Sequence, residues 1–238
     1  MNECERLINN YFNKNPGIKN RGFHAISKEE MIFIFENVNA FERPDMYVVL
    51  DDKIILIEHF AFDASKRTRK GMQGQKEEAL LKQRISNAPI DNEFHIDKGN
   101  YEISLKNWQS NFEQIFDSHY KKIPEYKKSI GAHLKMEEHK EILVGFFIEN
   151  QYSPTVYDGK KNSELYYFDT IQFSEKIIDS KELDFVLFGS HHKGYPQLFY
   201  FDKNSFDEFR PQIDLTNTTL KISPVCKNEC TMYGKFSE

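Results

Sequence analysis

The fold of this chain is decided by the stretch Arg43-Pro44-Asp45-Met46-Tyr47-Val48-Val49-Leu50-Asp51-Asp52-Lys53-Ile54-Ile55-Leu56-Ile57-Glu58-His59-Phe60. Its two apolar runs, 46–50 and 53–57, are rich in β-branched and aliphatic residues and flank the pair Asp51-Asp52. This pattern predicts a β-hairpin with a two-residue turn. Counting outward from that turn along both strands places Asp45 directly opposite Glu58.

Asp45 and Glu58 are the candidate functional residues of this hairpin. Directly opposed residues have Cβ atoms about 4.5–5.5 Å apart, and like charges at that distance destabilise a sheet. A cation between them removes the repulsion, and Mg²⁺, Mn²⁺ and Ca²⁺ are the ions that prefer carboxylate oxygens. The alternative interpretation makes Asp45 a strand-entry residue after Pro44 and Glu58 an ordinary exposed strand residue. Glu58 follows an apolar run, however, and an unpaired carboxylate among apolar residues is costly.

The rest of the sequence predicts an α/β protein. The predicted helices span 2–13, 75–85 and 105–120, and in the last of these apolar and aromatic residues recur at spacings of three and four. The further predicted strands span 31–35, 142–148, 184–188 and 197–201. The run 142–148 is apolar throughout, which is typical of a strand at the centre of a sheet. Between the last two strands, 189–196 is predicted to be a turn-rich, solvated loop that contains His191 and His192, and the tail from Lys221 is expected to add little.

This order of elements, with Pro44-Asp45 at the start of one strand and Glu58 on the next, resembles the restriction-endonuclease-like fold of the PD-(D/E)xK nuclease superfamily. The resemblance covers about residues 2–150 and implies a core of a helix, a three-stranded hairpin sheet, helices and a central buried strand. Residues 151–238 are then expected to be a strand-rich extension, within a single α/β domain over 1–238.

The resemblance also implies a chemistry and a set of site residues. Asp45 and Glu58 would bind one or two divalent ions, Mg²⁺ or Mn²⁺, and a helix glutamate, Glu3 or Glu5, would join them. The implied reaction is hydrolysis of nucleic-acid phosphodiesters, with DNA as the expected substrate.

The position of the family's lysine is occupied by Phe60, which can neither activate water nor stabilise charge on phosphate. Three explanations are open. The cation comes from elsewhere, with Arg43, Lys66 and Lys70 as candidates; or His59 assists, which requires a bulge because strand alternation points it away from Glu58; or the site has lost catalysis and only binds nucleic acid.

Composition limits the possible partners. The hydrophobic share of 39% and charged share of 29% are typical of a folded protein, and the net charge of −5 excludes a generally polycationic surface. The cluster Lys66, Arg67, Arg69 and Lys70 is either a solvated loop or, together with Arg43, a phosphate-contacting surface.

No sequence feature points to a membrane or to a disulfide framework. No apolar run approaches the roughly 20 residues that span a bilayer. The three cysteines, Cys4, Cys226 and Cys230, form neither a disulfide pattern nor a zinc motif. We therefore expect a reduced cytoplasmic protein, and the abundance of Lys, Asn, Ile and Glu indicates a bacterial or phage source.

Two functions from different classes follow from the sequence. The first is a divergent metal-dependent nuclease that uses Asp45 and Glu58. The second is a non-catalytic module that holds nucleic acid or a protein partner on a degenerate nuclease fold. The opposed acids favour the first, and Phe60 favours the second.

Overall fold

A computed structural model describes the chain over residues 18–20, 28–62, 98–102, 105–135, 140–150, 155–157, 162–164, 166–192, 195–204, 211, 213–216 and 225–228, together with Leu80, Gln83 and Phe206. The predicted helix 2–13, with Glu3 and Glu5, lies outside the described residues. The basic cluster Lys66–Lys70 does so as well, and so does the predicted helix 75–85 apart from Leu80 and Gln83, which are helical.

The chain forms a mixed α/β structure around an open sheet. The sheet has seven strands, in the order β1 (Ile18–Asn20), β10 (Tyr195–Asp202), β9 (Phe185–His192), β6 (Glu141–Asn150), β4 (Lys53–Phe62), β3 (Met46–Val49) and β2 (Asn39–Ala40). The pairs β1–β10 and β6–β9 are parallel, and the pairs β9–β10, β3–β4 and β2–β3 are antiparallel. The expectation of an α/β fold is confirmed at this level, whereas the restriction-endonuclease-like core stays a prediction.

The predicted hairpin is confirmed in its turn and its register. Met46 pairs with Ile57 and Val49 with Ile54, and the N–H of Leu50 donates to the carbonyl of Lys53 at 2.8 Å across the two-residue turn. On β3, Met46 and Val48 are buried and Val49 is exposed, so a slip of one residue would move the buried side chains to the other face.

Four α-helices have both ends in the described part of the chain: α1 (Lys28–Asn37), α2 (Leu105–Tyr120), α3 (Ile123–Leu134) and α4 (Ile171–Asp179). Tyr167–Asp169 form a short 3₁₀ helix. The prediction of a strand over 31–35 is wrong, because these residues belong to α1. Met31 and Ile34 are buried while Ile32 and Phe33 are exposed, which is the three-residue period of a helix and not the alternation of a strand. The helix predicted over 105–120 is confirmed.

The strands predicted in the second half are confirmed, but the loop between two of them is not. The predicted loop 189–196 is wrong because β9 continues to His192 and β10 starts at Tyr195, with His192 paired to Tyr195. The backbone hydrogen bonds of this hairpin outweigh the turn propensity of the intervening residues. The C-terminal tail also contributes structure, contrary to expectation, since β11 (Val225–Asn228) pairs with β5 (Lys98–Glu102). Two short strands, β7 (Thr155–Tyr157) and β8 (Asn162–Glu164), form a further antiparallel pair.

The chain divides into two compact units. The first comprises Met1–Ala61, Glu113–Asn150 and Tyr167–Asp214 and holds the seven-stranded sheet. The second comprises Phe62–Phe112, Gln151–Tyr166 and Leu215–Glu238, and in it Phe62 packs against Trp108 and Phe112. Among the described residues, no helix is long and apolar enough to cross a membrane.

Both faces of the central strands are buried in the first unit. One face carries Met46, Val48, Ile55 and Ile57, which cluster with Met31 and Ile34 of α1. The other face of β4 carries Phe60, which packs edge-on against Phe116 of α2 and Phe146 of β6. β4 is therefore packed on both sides, whereas β3 is buried on the face of Met46 and Val48.

Gly145 of β6 has no room for a side chain, because an added Cβ would overlap the ring of Phe185 on the neighbouring strand. We expect Gly145→Ala to lower the free energy of unfolding by about 1–3 kcal/mol, the usual cost of overpacking a core. Gly131→Ala in α3 is the matched control, since its added Cβ meets nothing within 4 Å. It should stabilise the helix by about 0.5–1 kcal/mol. Urea unfolding of both variants tests this pair, and equal effects would contradict the packing described here.

Candidate functional site

The two acidic residues of the hairpin are cross-strand neighbours, as predicted. The backbone N–H of Asp45 donates to Oε2 of Glu58 at 3.2 Å. The backbone N–H of His59 donates to Oδ2 of Asp45 at 2.8 Å. Each carboxylate is thus oriented by a main-chain donor of the opposite strand, and both side chains project from the same face of the sheet.

The acid pair is largely withdrawn from solvent. Glu58 is 7% exposed and Asp45 is half-buried. Burial raises the pKa of Asp45, and the neighbouring charge of Glu58 raises that pKa further, against smaller lowering contributions that include the N–H of His59. Ionising Asp45 beside Glu58 is therefore unfavourable, and a cation between the two carboxylates would reduce their repulsion.

Two helices supply side chains that contact Glu58. His119, at the end of α2, places Nδ1 2.8 Å from Oε1 of Glu58, and the hydroxyl of Tyr126, on α3, donates to the same oxygen at 2.7 Å. An ionised carboxylate only accepts, so Nδ1 of His119 carries the proton that it shares with Glu58. Burial raises the pKa of Tyr126, and the hydrogen bond to Glu58 adds to this, which keeps the phenol protonated as a donor.

His119 and Tyr126 are the site residues that sequence reasoning missed. His119 falls within the helix predicted over 105–120, with no role predicted for it, and Tyr126 falls in a segment with no predicted element. The available signal was a titratable imidazole at a core-facing position of an amphipathic helix, where a polar group needs a partner.

Phe60 lies within this site as an apolar wall. It is 4% exposed, and its ring stacks on the imidazole of His119 with centroids 5.0 Å apart and planes inclined by 20°. Position 60, where the resemblance implies a lysine, therefore holds a buried aromatic ring. The imidazole of His119, on α2, lies against this ring.

His59 points to the opposite face of the sheet, as strand alternation requires. Its Nε2 lies 3.5 Å from a carboxylate oxygen of Glu149, and its ring packs on Phe147 with centroids 5.5 Å apart. The hypothesis that a bulge brings this imidazole to the acids is corrected, because the backbone N–H is the part of His59 that contacts Asp45.

Of the predicted cationic residues, Arg43 lies within the described part of the chain. It is exposed, and its charge lowers the pKa of Tyr126 against the larger effects of burial and Glu58. The charge of Arg43 therefore acts on the phenol that contacts Glu58. Its contact with phosphate stays a prediction, and Lys66, Arg67, Arg69, Lys70 and Glu5 lie outside the described residues.

The donor set suits a small, hard cation that keeps much of its water. Within the described ranges, no group of three or more His, Cys, Asp or Glu side chains is placed to hold a metal ion. Two carboxylates are nevertheless sufficient for Mg²⁺, which binds proteins through one or two of them and retains several waters. Among the described residues, Oε2 of Glu58 accepts only the Asp45 N–H, and Oδ1 of Asp45 accepts no hydrogen bond.

Comparison of this chain with protein-family models, with curated proteins and with solved structures finds no significant match in any of the three. The resemblance to PD-(D/E)xK nucleases accordingly rests on the hairpin, its register and its two acids.

Proposed function

We propose that this chain is a metal-dependent nuclease in which Asp45 and Glu58 hold Mg²⁺ or Mn²⁺ and DNA is the expected substrate. The observation that carries the proposal is the acid pair itself. The Glu58 carboxylate accepts the backbone N–H of Asp45, and the Asp45 carboxylate accepts the backbone N–H of His59, in a setting that raises the pKa of Asp45. Such an arrangement is unfavourable without a cation, and perturbed carboxyls of this kind cluster at functional sites.

The ion, when bound, would lower the pKa of a coordinated water and neutralise charge on the phosphate. The residues of this chain orient its ligands. His119 and Tyr126 both hold Oε1 of Glu58, which leaves Oε2 directed to Asp45. Replacing a residue that hydrogen-bonds to a metal ligand usually lowers metal affinity or activity by about 10- to 100-fold.

His119 contacts Glu58 where Phe60 has no polar atom. Its Nδ1 lies 2.8 Å from Oε1 of Glu58, and the stacked ring of Phe60 fixes the plane of the imidazole. Arg43, which is exposed in the loop before β3, is the candidate cation of the described residues.

A second candidate function has a specific observation in its favour. The two hydrogen bonds from His119 and Tyr126 already satisfy Oε1 of Glu58, as expected for a buried carboxylate in a purely structural network. On this interpretation the fold binds nucleic acid or a protein without cutting. The two candidates differ in whether divalent ions bind and whether phosphodiesters are hydrolysed.

Removing the donors behind Glu58 tests the proposed roles of α2 and α3. We expect His119→Asn and Tyr126→Phe each to lower kcat/KM for cleavage of DNA in Mn²⁺ by about 10- to 100-fold. Tyr120→Phe is the matched control, since the hydroxyl of Tyr120 contacts the backbone N–H of Glu182, at 3.3 Å, and not the acids. Unchanged cleavage by His119→Asn and Tyr126→Phe would show that Glu58 is not an oriented ligand.

The raised pKa of Asp45 predicts a pH-dependent stability in metal-free protein. The folded state keeps the proton above the ordinary pKa of 3.8, whereas the unfolded state releases it. The free energy of unfolding therefore falls as the pH rises from that value through the raised pKa, and the full penalty is present at neutral pH. In EDTA, Asp45→Asn should raise the melting temperature at neutral pH, with a gain that shrinks as the pH approaches 4. A gain that grows on acidification would contradict the sign of the shift.

A further inference from the structure

An aromatic cluster that solvent can reach lies beside the acid pair. Phe41 packs edge-on against Tyr47 with ring centroids 5.7 Å apart. It also packs against the imidazole of His133, with centroids 4.7 Å apart and the ring planes inclined by 42°. The rings of Tyr47 and His133 are 5.8 Å apart, and the Tyr47 hydroxyl is 3.4 Å from Nε2 of His133. We call Phe41, Tyr47 and His133 the aromatic platform.

The platform differs from the other ring clusters of the first unit in its exposure. His133 is exposed, and Phe41 and Tyr47 are half-exposed. By contrast, the rings of Phe60, Phe116 and Phe146 are buried, and so are those of Phe168, Phe188 and Phe201. The buried rings are explained by packing of the hydrophobic core. Core packing does not explain the rings of the aromatic platform, which remain accessible to solvent.

The platform is fixed rigidly to the acid site. The N–H of Phe41 donates to the carbonyl of Asp45 at 2.8 Å, and Tyr47 is two residues beyond Asp45 on the same face of the sheet. Two residues of a strand span about 7 Å. On α3, His133 lies two helical turns from Tyr126, or about 10 Å. A nucleotide next to a phosphate at Asp45 and Glu58 is within reach of these rings.

We propose that the aromatic platform stacks the bases of single-stranded nucleic acid and directs an unpaired strand to Asp45 and Glu58. This inference rests on the proposed nuclease function and names its substrate class. Aromatic side chains bind successive bases through their faces with little regard to sequence. In a duplex those faces are stacked on one another and cannot reach a protein ring, so the platform discriminates against paired strands.

The charge near the platform is mixed. Glu42 and Arg43 lie in the short loop between Phe41 and Asp45, and both are exposed. A guanidinium there is placed to contact the phosphate of a strand whose base lies on Phe41 or Tyr47. The whole chain is acidic, with a net charge of −5, so stacking is expected to supply more of the affinity than general electrostatic attraction.

The test separates binding from cleavage by working in EDTA. Fluorescence anisotropy with labelled oligo-dT and with a duplex of the same length gives the two dissociation constants of the wild type and of each variant. Phe41→Leu and Tyr47→Leu remove a ring and keep apolar volume. Each should weaken binding of oligo-dT by roughly 5- to 150-fold, the equivalent of about 1–3 kcal/mol per stacked base. Phe33→Leu is the matched control, because Phe33 is 44% exposed on α1 and is not part of the platform.

Tyr47→Phe guards against an effect on folding, since it keeps the ring and removes the hydroxyl contact with His133. It should bind oligo-dT as the wild type does, and melting curves should show all four variants folded. Weaker binding by the two ring-loss variants, with Phe33→Leu and Tyr47→Phe unchanged, supports the platform. Equal affinity of the wild type for oligo-dT and duplex, or unchanged binding by the ring-loss variants, overturns it.

The failure of the platform and the failure of the nuclease are distinguishable. Protein that cleaves in Mn²⁺ but binds single and paired strands equally refutes the platform and leaves the nuclease. Protein that binds oligo-dT through Phe41 and Tyr47, yet cleaves nothing in any divalent ion, refutes the nuclease and leaves the platform. Protein that binds neither oligonucleotide in EDTA refutes the platform, and cleavage in Mn²⁺ then decides the nuclease separately.

Discussion

Asp45→Asn and Glu58→Gln are each expected to reduce cleavage of DNA in Mg²⁺ or Mn²⁺ by more than the roughly 100-fold that removal of a group behind a metal ligand can cost. Each replacement keeps the shape of the side chain and removes one metal-binding charge. In Asp45→Asn the amide oxygen of the new side chain can still accept the His59 N–H, so the hairpin should survive. EDTA should stop the wild-type reaction, and added divalent ion should restore it.

The matched control for this experiment is Asp184→Asn. Like Asp45, Asp184 accepts a backbone N–H, that of Val144 at 2.7 Å, and burial raises its pKa. It lies away from the acid pair, so its replacement should leave cleavage intact. Loss of cleavage together with a collapsed melting temperature in Asp45→Asn or Glu58→Gln would mark those residues as structural. Retention of wild-type cleavage by either folded variant would end the metal-ligand account.

Phe60→Lys, which places a lysine where the resemblance to PD-(D/E)xK nucleases implies one, is expected to destabilise the protein. The side chain at position 60 is 4% exposed and is packed against Phe116, Phe146 and the ring of His119. Loss of these contacts should cost about 3–5 kcal/mol, as for emptying a buried phenylalanine site, and a buried ammonium adds a further penalty. In a chain of this size, a loss of 1 kcal/mol lowers the melting temperature by about 2–4 °C, so the melting temperature should fall by roughly 6–20 °C.

Phe60→Leu is the control, because it keeps an apolar side chain and should cost less than about 1.5 kcal/mol. Its cleavage rate should fall less than that of Phe60→Lys, since the imidazole of His119 keeps an apolar neighbour. A Phe60→Lys variant that melts with the wild type and cuts faster would show that position 60 opens onto the acids. The role assigned to His119 would then be wrong.

The hairpin was predictable because its determinants are local. A turn pair flanked by symmetric apolar runs fixes which residues face each other, and the register follows by counting. Asp45 and Glu58 could therefore be placed together from sequence. The strand prediction over 31–35 was wrong because an apolar run of five residues has no periodicity that separates a strand from a helix. The packing of Met31 and Ile34 against the sheet decides for the helix.

The remainder of the site is non-local and had no such rule. His119 and Tyr126 reach Glu58 from 61 and 68 residues farther along the chain, and only the packing of α2 and α3 on the sheet brings them there. A single sequence predicts the helix that contains His119, but it does not predict which strand this helix packs against. The extension of β9 through His192 is similar, since its pairing with β10 and not its local turn propensity decides it.

The most direct test of the central claim is the location of a bound ion. Crystals of the wild-type protein soaked in Mn²⁺ should show one anomalous peak within about 2.5 Å of carboxylate oxygens of both Asp45 and Glu58. Crystals of Asp45→Asn treated in the same way should lack it. An absent peak in the wild type, at Mn²⁺ concentrations that support cleavage, would contradict the account, as would a peak elsewhere with the acid pair empty.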